Sequence, residues 1–256
     1  MSEVPTPSER GRASLDRFLD LRASLRETRR GHGGLEVCAA LSAALDRAIG
    51  EIVASFPDDV AVVAIGGYGR EELSPYSDVD LMLLHAGDDP SHLAAALFRP
   101  LWDAGLRVGH SARTLDEAAA AARATVETHT TLLTGRLVAG NPALMERLNE
   151  RIASVTRARP LRRHLVAAER ERRQNDPYLR MAPDVKAGRG GLRTIHGFDW
   201  ERRREELIGR FSGGSWVESE EAREILLQTR NALHVVTGRA HDVFSVELRE
   251  PVARWL

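Results

Sequence analysis

A single cysteine, Cys38, excludes a disulfide framework within the chain and fits a reducing compartment. It sits in an apolar helical stretch and reads as a small core residue. Neither sign of charge is in excess: 36 Lys and Arg stand against 37 Asp and Glu, a formal net charge of −1 at pH 7. That balance withholds the overall basic footprint of a nucleic-acid-binding domain. The arginine-rich stretch from Arg157 to Arg173 has no aromatic residues interleaved for base stacking. It reads instead as a solvated helix face over a buried side of Leu161, Leu165 and Val166, and a nucleic-acid partner is not expected. No apolar run is long enough to span a bilayer, no charged-then-apolar leader opens the sequence, and no internal repeat of fixed period is present. These absences lead to the expectation of a soluble cytoplasmic protein with no membrane partner. Trp102, Trp200, Trp216 and Trp255 are scattered and read as core-packing residues.

What is present is enough chain, 256 residues, for one large domain or two small ones. Pro5, Pro7, Ser8 and Gly11 leave residues 1–13 with little apolar content and an expectation of mobility. Apolar spacing predicts helices over 14–29 and, after the breaks at Gly31, Gly33 and Gly34, over 35–55. The pattern changes beyond Pro57. Val60 to Ile65 and Val79 to Leu84 are continuous apolar runs suited to strands covered on both faces, and 106–111 is a third candidate. Residues 91–104 read as a helix between the last two. From Thr114 the chain reads as helix after helix, beginning with the capping box Thr114-Leu-Asp-Glu117. Asn141-Pro142 and Pro160 open two further helices, to about residues 155 and 175. Others are expected at 195–209 and 218–237, with Ser212 to Ser215 as a loop. The organisation expected is a helical lead-in (1–56), an α/β core (57–113) and a helical module (114–256). The sequence still reads as folded at Leu256, so it is either a piece of a longer protein or a naturally short one.

Asp78 and Asp80 are two residues apart at the start of an apolar run, so a strand presents both carboxylates on one face. Hard cations such as Mg²⁺ take oxygen ligands and are commonly held by one or two carboxylates plus substrate phosphates. Two metals about 4 Å apart activate an attacking oxygen and stabilise a leaving one. An isolated Asp-X-Asp would more often be a turn or a cap. Here a strand exit, Gly66-Gly67-Tyr68-Gly69-Arg70, lies upstream of Ser77-Asp78-Val79-Asp80. Glycines at such an exit admit close approach of a ligand, and a helix start offers N–H groups to phosphate oxygens. Arg70 adds a cation and Ser77 a hydroxyl. Read singly, the two glycines suit an ordinary strand-to-helix turn, and Arg70 a surface ion pair with Glu71 or Glu72. In the second informative stretch, Asp184 to Ile195, Lys186 and Arg193 flank a loop with three glycines. That loop suits anionic oxygen or simply connects two helices.

The first motif resembles the DNA polymerase β-type nucleotidyltransferase superfamily and, within it, the bacterial protein-PII uridylyltransferase (uridylyl-removing) enzymes. Their version reads Gly-Gly-Tyr-Gly-Arg-Gly-Glu-Leu, then a short spacer and Ser-Asp-Ile/Val-Asp; here Glu71 replaces the glycine after Arg70. Val108 to Glu117 and Leu233 to Arg239 are similar to two further family segments, so the resemblance runs from about residue 60 to the end. The superfamily often places a third carboxylate on a neighbouring strand. The candidate strand here has none; His110 could take the proton in its place, although a histidine in such a position is more often a satisfied structural residue. Uridylyltransferases carry Lys-X-Gly-Pro-Gly-Gly-Leu-Arg-Asp at the second motif, and glutamine synthetase adenylyltransferases carry Lys-X-Gly-Arg-Gly-Gly-Ile-Arg. This chain has Arg189, as in the latter, and Thr194 where an acid is usual.

The resemblance implies an α/β (α+β) fold, a polymerase β-like core with a small mixed sheet followed by a helical module. It implies transfer of UMP, or AMP, from UTP or ATP to a protein hydroxyl, with the PII signalling protein as acceptor and Mg²⁺ as cofactor. Asp78 and Asp80 would be the catalytic metal ligands. Gly66, Gly67, Arg70, Ser77, Lys186 and Arg193 would bind nucleotide. A glutamine synthetase adenylyltransferase-like enzyme, a stand-alone transferase with another acceptor, and a non-catalytic regulatory module are the alternatives.

Overall fold

The structure, a computed structural model, describes residues 9–25, 33–87, 89–158, 161–175, 182–209 and 217–256. The chain divides into two units. One holds the described residues up to Leu21 with Leu41–Leu73 and Ser77–Val155, the other Arg22–Ala40, Ser74–Tyr76 and Thr156–Leu256.

The first unit is built on a four-stranded mixed sheet. β1 (Val60–Ala64) and β2 (Val79–His85) are its inner strands, and their apolar residues are buried on both faces. They pair antiparallel, Val60 opposite His85 and Ala64 opposite Leu81. β3 (Val108–Arg113) lies parallel to β2, with Asp80 opposite Gly109, and β4 (Arg136–Gly140) lies antiparallel to β1, giving the order β3-β2-β1-β4. Helices α1 (Glu9–Ser24) and α2 (Gly34–Ile52) precede the sheet, and the single turn α3 (Gly66–Gly69) joins β1 to the segment before β2. Helix α4 (Ser91–Asp103) makes the crossover that a parallel β2–β3 pair requires. Helices α5 (Leu115–Ala124), α6 (Val126–Leu133) and α7 (Pro142–Ala158) follow.

Local chemistry sets several of these boundaries. The Thr114–Glu117 capping box is formed in both directions, with Glu117 N donating to Thr114 Oγ1 at 3.3 Å and Thr114 N to Glu117 Oε2 at 2.8 Å. Asn141 Oδ1 accepts from Ala143 N at 2.9 Å at the start of α7. β4 falls in a stretch whose sequence reads as consecutive helices. It is only five residues long and its register slips by one residue opposite Val62 and Val63, so it leaves almost no period-2 signature. Gly140 closes it at φ 91°, where a Cβ would stand 2.5 Å from the Val60 carbonyl oxygen. Residues 9–13, expected to be mobile, begin α1; residues 1–8 and 26–29, Pro160, the 212–215 loop and Trp216 lie outside the described residues. Trp102 is 44% exposed rather than a core residue, and its ring meets His110 edge-on at 5.1 Å.

The second unit is helical: α8 (Leu161–Asn175), α9 (Leu192–Leu207), α10 (Val217–Thr237), a 3₁₀ turn (Val246–Leu248) and α11 (Arg249–Trp255). Cys38, Leu192 and Leu227 form a buried cluster in it. The start of α2 packs directly on the α10 backbone at Gly34. The Glu224 carboxylate accepts from Gly34 N at 2.5 Å and Leu35 N at 2.8 Å, satisfying amides that a helix start leaves open. On α8, Leu161 is buried as expected, but Val166 is 44% exposed and so lies outside the packed side. The small mixed sheet followed by a predominantly helical part is the polymerase β-like arrangement expected from the sequence. No described helix is long and apolar enough to cross a membrane.

Candidate active site

In the first unit the strand-exit turn and the Asp-X-Asp strand meet at one carboxylate. Ile65 N, just past β1, donates to Asp80 O at 3.0 Å, and the chain then enters α3 through Gly66 at φ 63°. A Cβ on Gly66 would stand 2.8 Å from Asp80 Oδ2, and a Cβ on Gly109 would collide with Asp80 Oδ1. The Asp80 carboxylate therefore occupies the space that two glycines leave open, one on the turn and one on β3. Gly69 is required for another reason: its Cβ would lie 2.7 Å from the Ala64 carbonyl and 2.8 Å from that of Thr134. Gly67 has room, with its nearest contact at 3.7 Å. At one turn, α3 is too short to build a macrodipole, and what it can offer an anion is local backbone N–H.

Asp78 immediately precedes β2 and shares the Asp80 face through the period of two. Its side chain is 58% exposed, and its Oδ1 lies 3.0 Å from Arg107 Nε. Ser77 Oγ is buried and meets no hydrogen-bond partner among the described residues. A buried hydroxyl left in that state is uncommon, and here it stands one residue before Asp78 and three before Asp80. The donor set fits a hard cation held by two carboxylates and completed by substrate oxygens. Among the described residues no group of three or more His, Cys, Asp or Glu is placed to hold a metal. By register, Gly109, Ser111 and Arg113 share the Asp80 face of β3, and none is an acid. His110 falls on the alternate face, its ring 5.1 Å from those of both Phe98 and Trp102 on α4, so it belongs to an aromatic cluster.

Arg70 is held at home. Its Nε donates to Glu72 Oε2 at 2.9 Å, and that pair is 13% and 4% exposed. This is the ion pair weighed as the alternative to a phosphate contact. Behind the turn lies a cluster that sequence reasoning missed. Tyr68 is fully buried, and its hydroxyl donates to Asp46 Oδ1 at 2.5 Å. Arg136 Nη1 and Nη2 donate to Asp46 Oδ2 and Oδ1 at 2.7 and 3.1 Å. Burial, and after it the Asp46 charge and hydrogen bond, push the Tyr68 hydroxyl well above the usual phenol range. Glu71, where the resembling family has glycine, is the one non-glycine residue at positive φ among the described residues, at 59°. Only the tyrosine inside the glycine motif hinted at this cluster, since a tyrosine there needs a partner for its hydroxyl.

Lys186 and Arg193 belong to the second unit. Asp184 Oδ1 accepts from Lys186 N at 2.8 Å and Ala187 N at 2.7 Å, and Leu192 N and Arg193 N donate back to the carbonyls of Val185 and Lys186, both at 2.9 Å. The glycine loop is thus closed on itself, and Arg193 leaves it exposed in the first turn of α9. Lys186 Nζ stands 3.9 Å from Asp242 Oδ2, at the edge of a buried network. Asp242 Oδ1 also accepts from Arg230 Nε at 2.8 Å and lies 3.3 Å from His234 Nε2. His234 Nδ1 accepts from Tyr76 N at 3.1 Å, which fixes the proton on Nε2. Burial pushes His234 down to about 4, with the Asp242 hydrogen bond opposing. Burial alone would raise Asp242; the hydrogen bond from His234 and the Arg230 charge hold it well below the usual carboxylate range. Thr194, where relatives are expected to carry an acid, donates to Glu169 at 3.4 Å, so an acid from α8 stands at that position's side chain.

The family described as GlnD PII-uridylyltransferase matches residues 160–256. Full sequences extend the similarity. The bifunctional uridylyltransferase/uridylyl-removing enzyme of Azotobacter vinelandii is 37% identical over 212 residues, 76% of this chain and 24% of that enzyme. Those of Ectopseudomonas mendocina and Streptomyces coelicolor are 38% identical over 207 residues (72% and 22%) and 36% over 207 residues (76% and 24%). The chain thus spans less than a quarter of the length of these relatives. It resembles the PII-uridylyltransferase family, and the region of resemblance carries a nucleotidyltransferase-type core.

Proposed function

We propose that this chain is the nucleotidyl-transfer part of a PII-uridylyltransferase-like enzyme. It would move UMP, or AMP, from a nucleoside triphosphate to a hydroxyl of a PII-type signalling protein. The acceptor hydroxyl gives up its proton to water as its oxygen attacks the α-phosphorus, the bond from that phosphorus to the β-bridging oxygen breaks, and pyrophosphate leaves. On this reading the chemistry belongs to segment 57–113, with β4 paired beside it. The observation that carries it is the Asp80 carboxylate seated between Gly66 and Gly109, with Asp78 on the same strand face and, one residue before Asp78, the buried Ser77 hydroxyl that meets no partner among the described residues.

Asp78 and Asp80 would hold Mg²⁺, which supplies charge neutralisation at the phosphates and polarisation of the reacting oxygens when bound. Ser77 donates its hydroxyl to a phosphate oxygen, Gly66 offers its backbone N–H, and Gly67, whose Cβ position has room, lets that oxygen approach closely. Lys186 and Arg193 offer positive charge to the triphosphate or to the acceptor protein, and Arg70 contributes from within its pair with Glu72. A regulatory module that binds without transferring is the second reading, favoured by the lack of an acid at Gly109, Ser111 or Arg113 on the Asp80 face of β3.

The test is Mg²⁺-dependent pyrophosphate release from UTP or ATP, with PII or glutamine synthetase as acceptor. Release with UTP and PII, lost by at least about 100-fold in Asp78→Asn with Asp80→Asn, is the expected result. Release with ATP and glutamine synthetase alone reassigns the nucleotide and acceptor. No release with any pairing, or release that survives both substitutions, overturns the catalytic reading.

A further inference from the structure

Helix α3 has the sequence Gly-Gly-Tyr-Gly, so Tyr68 is the only side chain by which the rest of the unit can hold that turn. A single helical turn does not form unaided, because nucleation fixes several dihedrals for one hydrogen bond. Three glycines raise that cost further. The shape of the turn must therefore be imposed from outside.

Tyr68 is gripped at both ends. Its hydroxyl donates to Asp46 Oδ1 at 2.5 Å, from α2, and its carbonyl accepts from Arg136 Nη2 at 3.5 Å, from β4. The Arg136 guanidinium carbon is also 5.5 Å from the Tyr68 ring centroid, within cation–π range. Arg136 and Asp46 are joined by two parallel hydrogen bonds, a geometry that fixes both partners in direction as well as distance. Arg136 is paired in register with Ala64, the last residue of β1, so the clamp is anchored at the strand end from which the turn departs. Arg136 Nε stands 3.8 Å from Glu71 Oε1, directing the same cation at the residue that closes the turn. A ring needed only to fill space would be served by phenylalanine; this one carries a buried hydroxyl bonded to a carboxylate that Arg136 also holds.

We propose that Asp46, Tyr68 and Arg136 are positioning residues: together they hold the Gly66–Gly69 turn in the conformation that receives a phosphate oxygen of the nucleotide. The inference rests on the nucleotidyl-transfer reading above. None of the three touches Asp78 or Asp80 in the contacts just described; they act through the backbone of the turn.

The test uses the full chain and two substitutions. Tyr68→Phe removes only the hydroxyl, and Arg136→Lys keeps the charge but loses the paired donors. Amide hydrogen exchange is followed in the ligand-free protein, and UTP and ATP are titrated separately by calorimetry. In both variants the amides of residues 66–70 should exchange about tenfold faster, with β1 and β2 protection unchanged. Nucleotide affinity should fall about tenfold, the scale of one well-placed hydrogen bond. Turn exchange and nucleotide affinity equal to wild type would overturn the inference. So would loss of β1 and β2 protection in step with the turn, which would make the cluster a general stability element. Wild-type protein that binds neither nucleotide overturns the transfer reading as well, whereas wild-type binding matched by both variants overturns the positioning role alone.

Discussion

At Gly66, Gly69 and Gly109 a neighbour has taken the place of the Cβ: a carboxylate at the first and third, two backbone carbonyls at the second. The glycine loop of the second unit is made differently. Gly190 faces open space and is needed for its φ of 74°, and Gly191 is closed by the carbonyls of Val185, Gly188 and Lys186, all from its own loop. Gly66 on the turn and Gly109 on β3 are shaped around one charged group delivered from β2; the loop of the second unit is shaped by its own backbone. Damage to the first should therefore appear in chemistry and damage to the second in stability.

The sharpest way to break that contrast is to exchange the glycines for alanine. In Gly109→Ala the new methyl meets the far end of the Asp80 side chain, which can rotate away without moving backbone. Transfer activity should fall about 100-fold or more, as expected for displacement of a reacting group by about 1 Å. The unfolding midpoint should move little. In Gly190→Ala nothing obstructs the methyl, and the left-handed backbone costs about 1 kcal/mol, read in urea unfolding with little change in turnover. Equal losses of activity in the two variants would erase the distinction.

The second unit should betray itself through pH. Its network leaves His234 neutral, with its folded value pushed down to about 4 against about 6.5 when unfolded. Between those values the unfolded chain binds more protons, so stability rises with pH and is lost as pH falls through this window. From pH 7 to pH 5 the loss from this group is about 2 kcal/mol. Asp242 is displaced downward, so its contribution is full above the unfolded carboxylate value of about 3.9 and is lost as pH falls below that value, outside the interval from pH 7 to pH 5. Urea unfolding at both pH values should show the loss in wild type and a flatter response in His234→Gln. An amide there can still accept from Tyr76 and donate to Asp242. An unchanged slope would remove His234 as the source.

How much of this was legible depended on the distance over which each signal acts. The carboxylates of Asp78 and Asp80 could be placed on one face because a strand alternates with a period of two. The Thr114–Glu117 cap was readable because its partners are three residues apart. The buried runs of β1 and β2 announced themselves by continuous apolar composition. Asp46, 22 residues from Tyr68 and 90 from Arg136, left no periodic trace. Neither did the pairing of Tyr76 with His234, 158 residues apart. β4 was hidden because five residues with a register slip carry too little alternation to outvote the helices around them. The Arg70–Glu72 pair was foreseen only as an alternative, since residue type says that Arg70 can bind an anion but not which anion.

Glu71 tests the first turn most gently. It holds φ 59°, a backbone that costs a residue with a Cβ about 1–2 kcal/mol. Glycine at the same place avoids that cost but gives up about 0.4–1 kcal/mol through the freedom it adds to the unfolded chain. The Glu71 carboxylate is 59% exposed and 3.8 Å from Arg136, a surface ion pair worth little. Glu71→Gly should therefore raise stability by about 0.5 kcal/mol in urea unfolding. Removing a carboxylate beside the turn should also tighten nucleotide binding, most clearly at low salt, where the repulsion is least screened. A fall in stability would mean that the contact with Arg136 outweighs the backbone strain. Glu71 would then belong with Asp46 and Tyr68 among the groups that hold the turn.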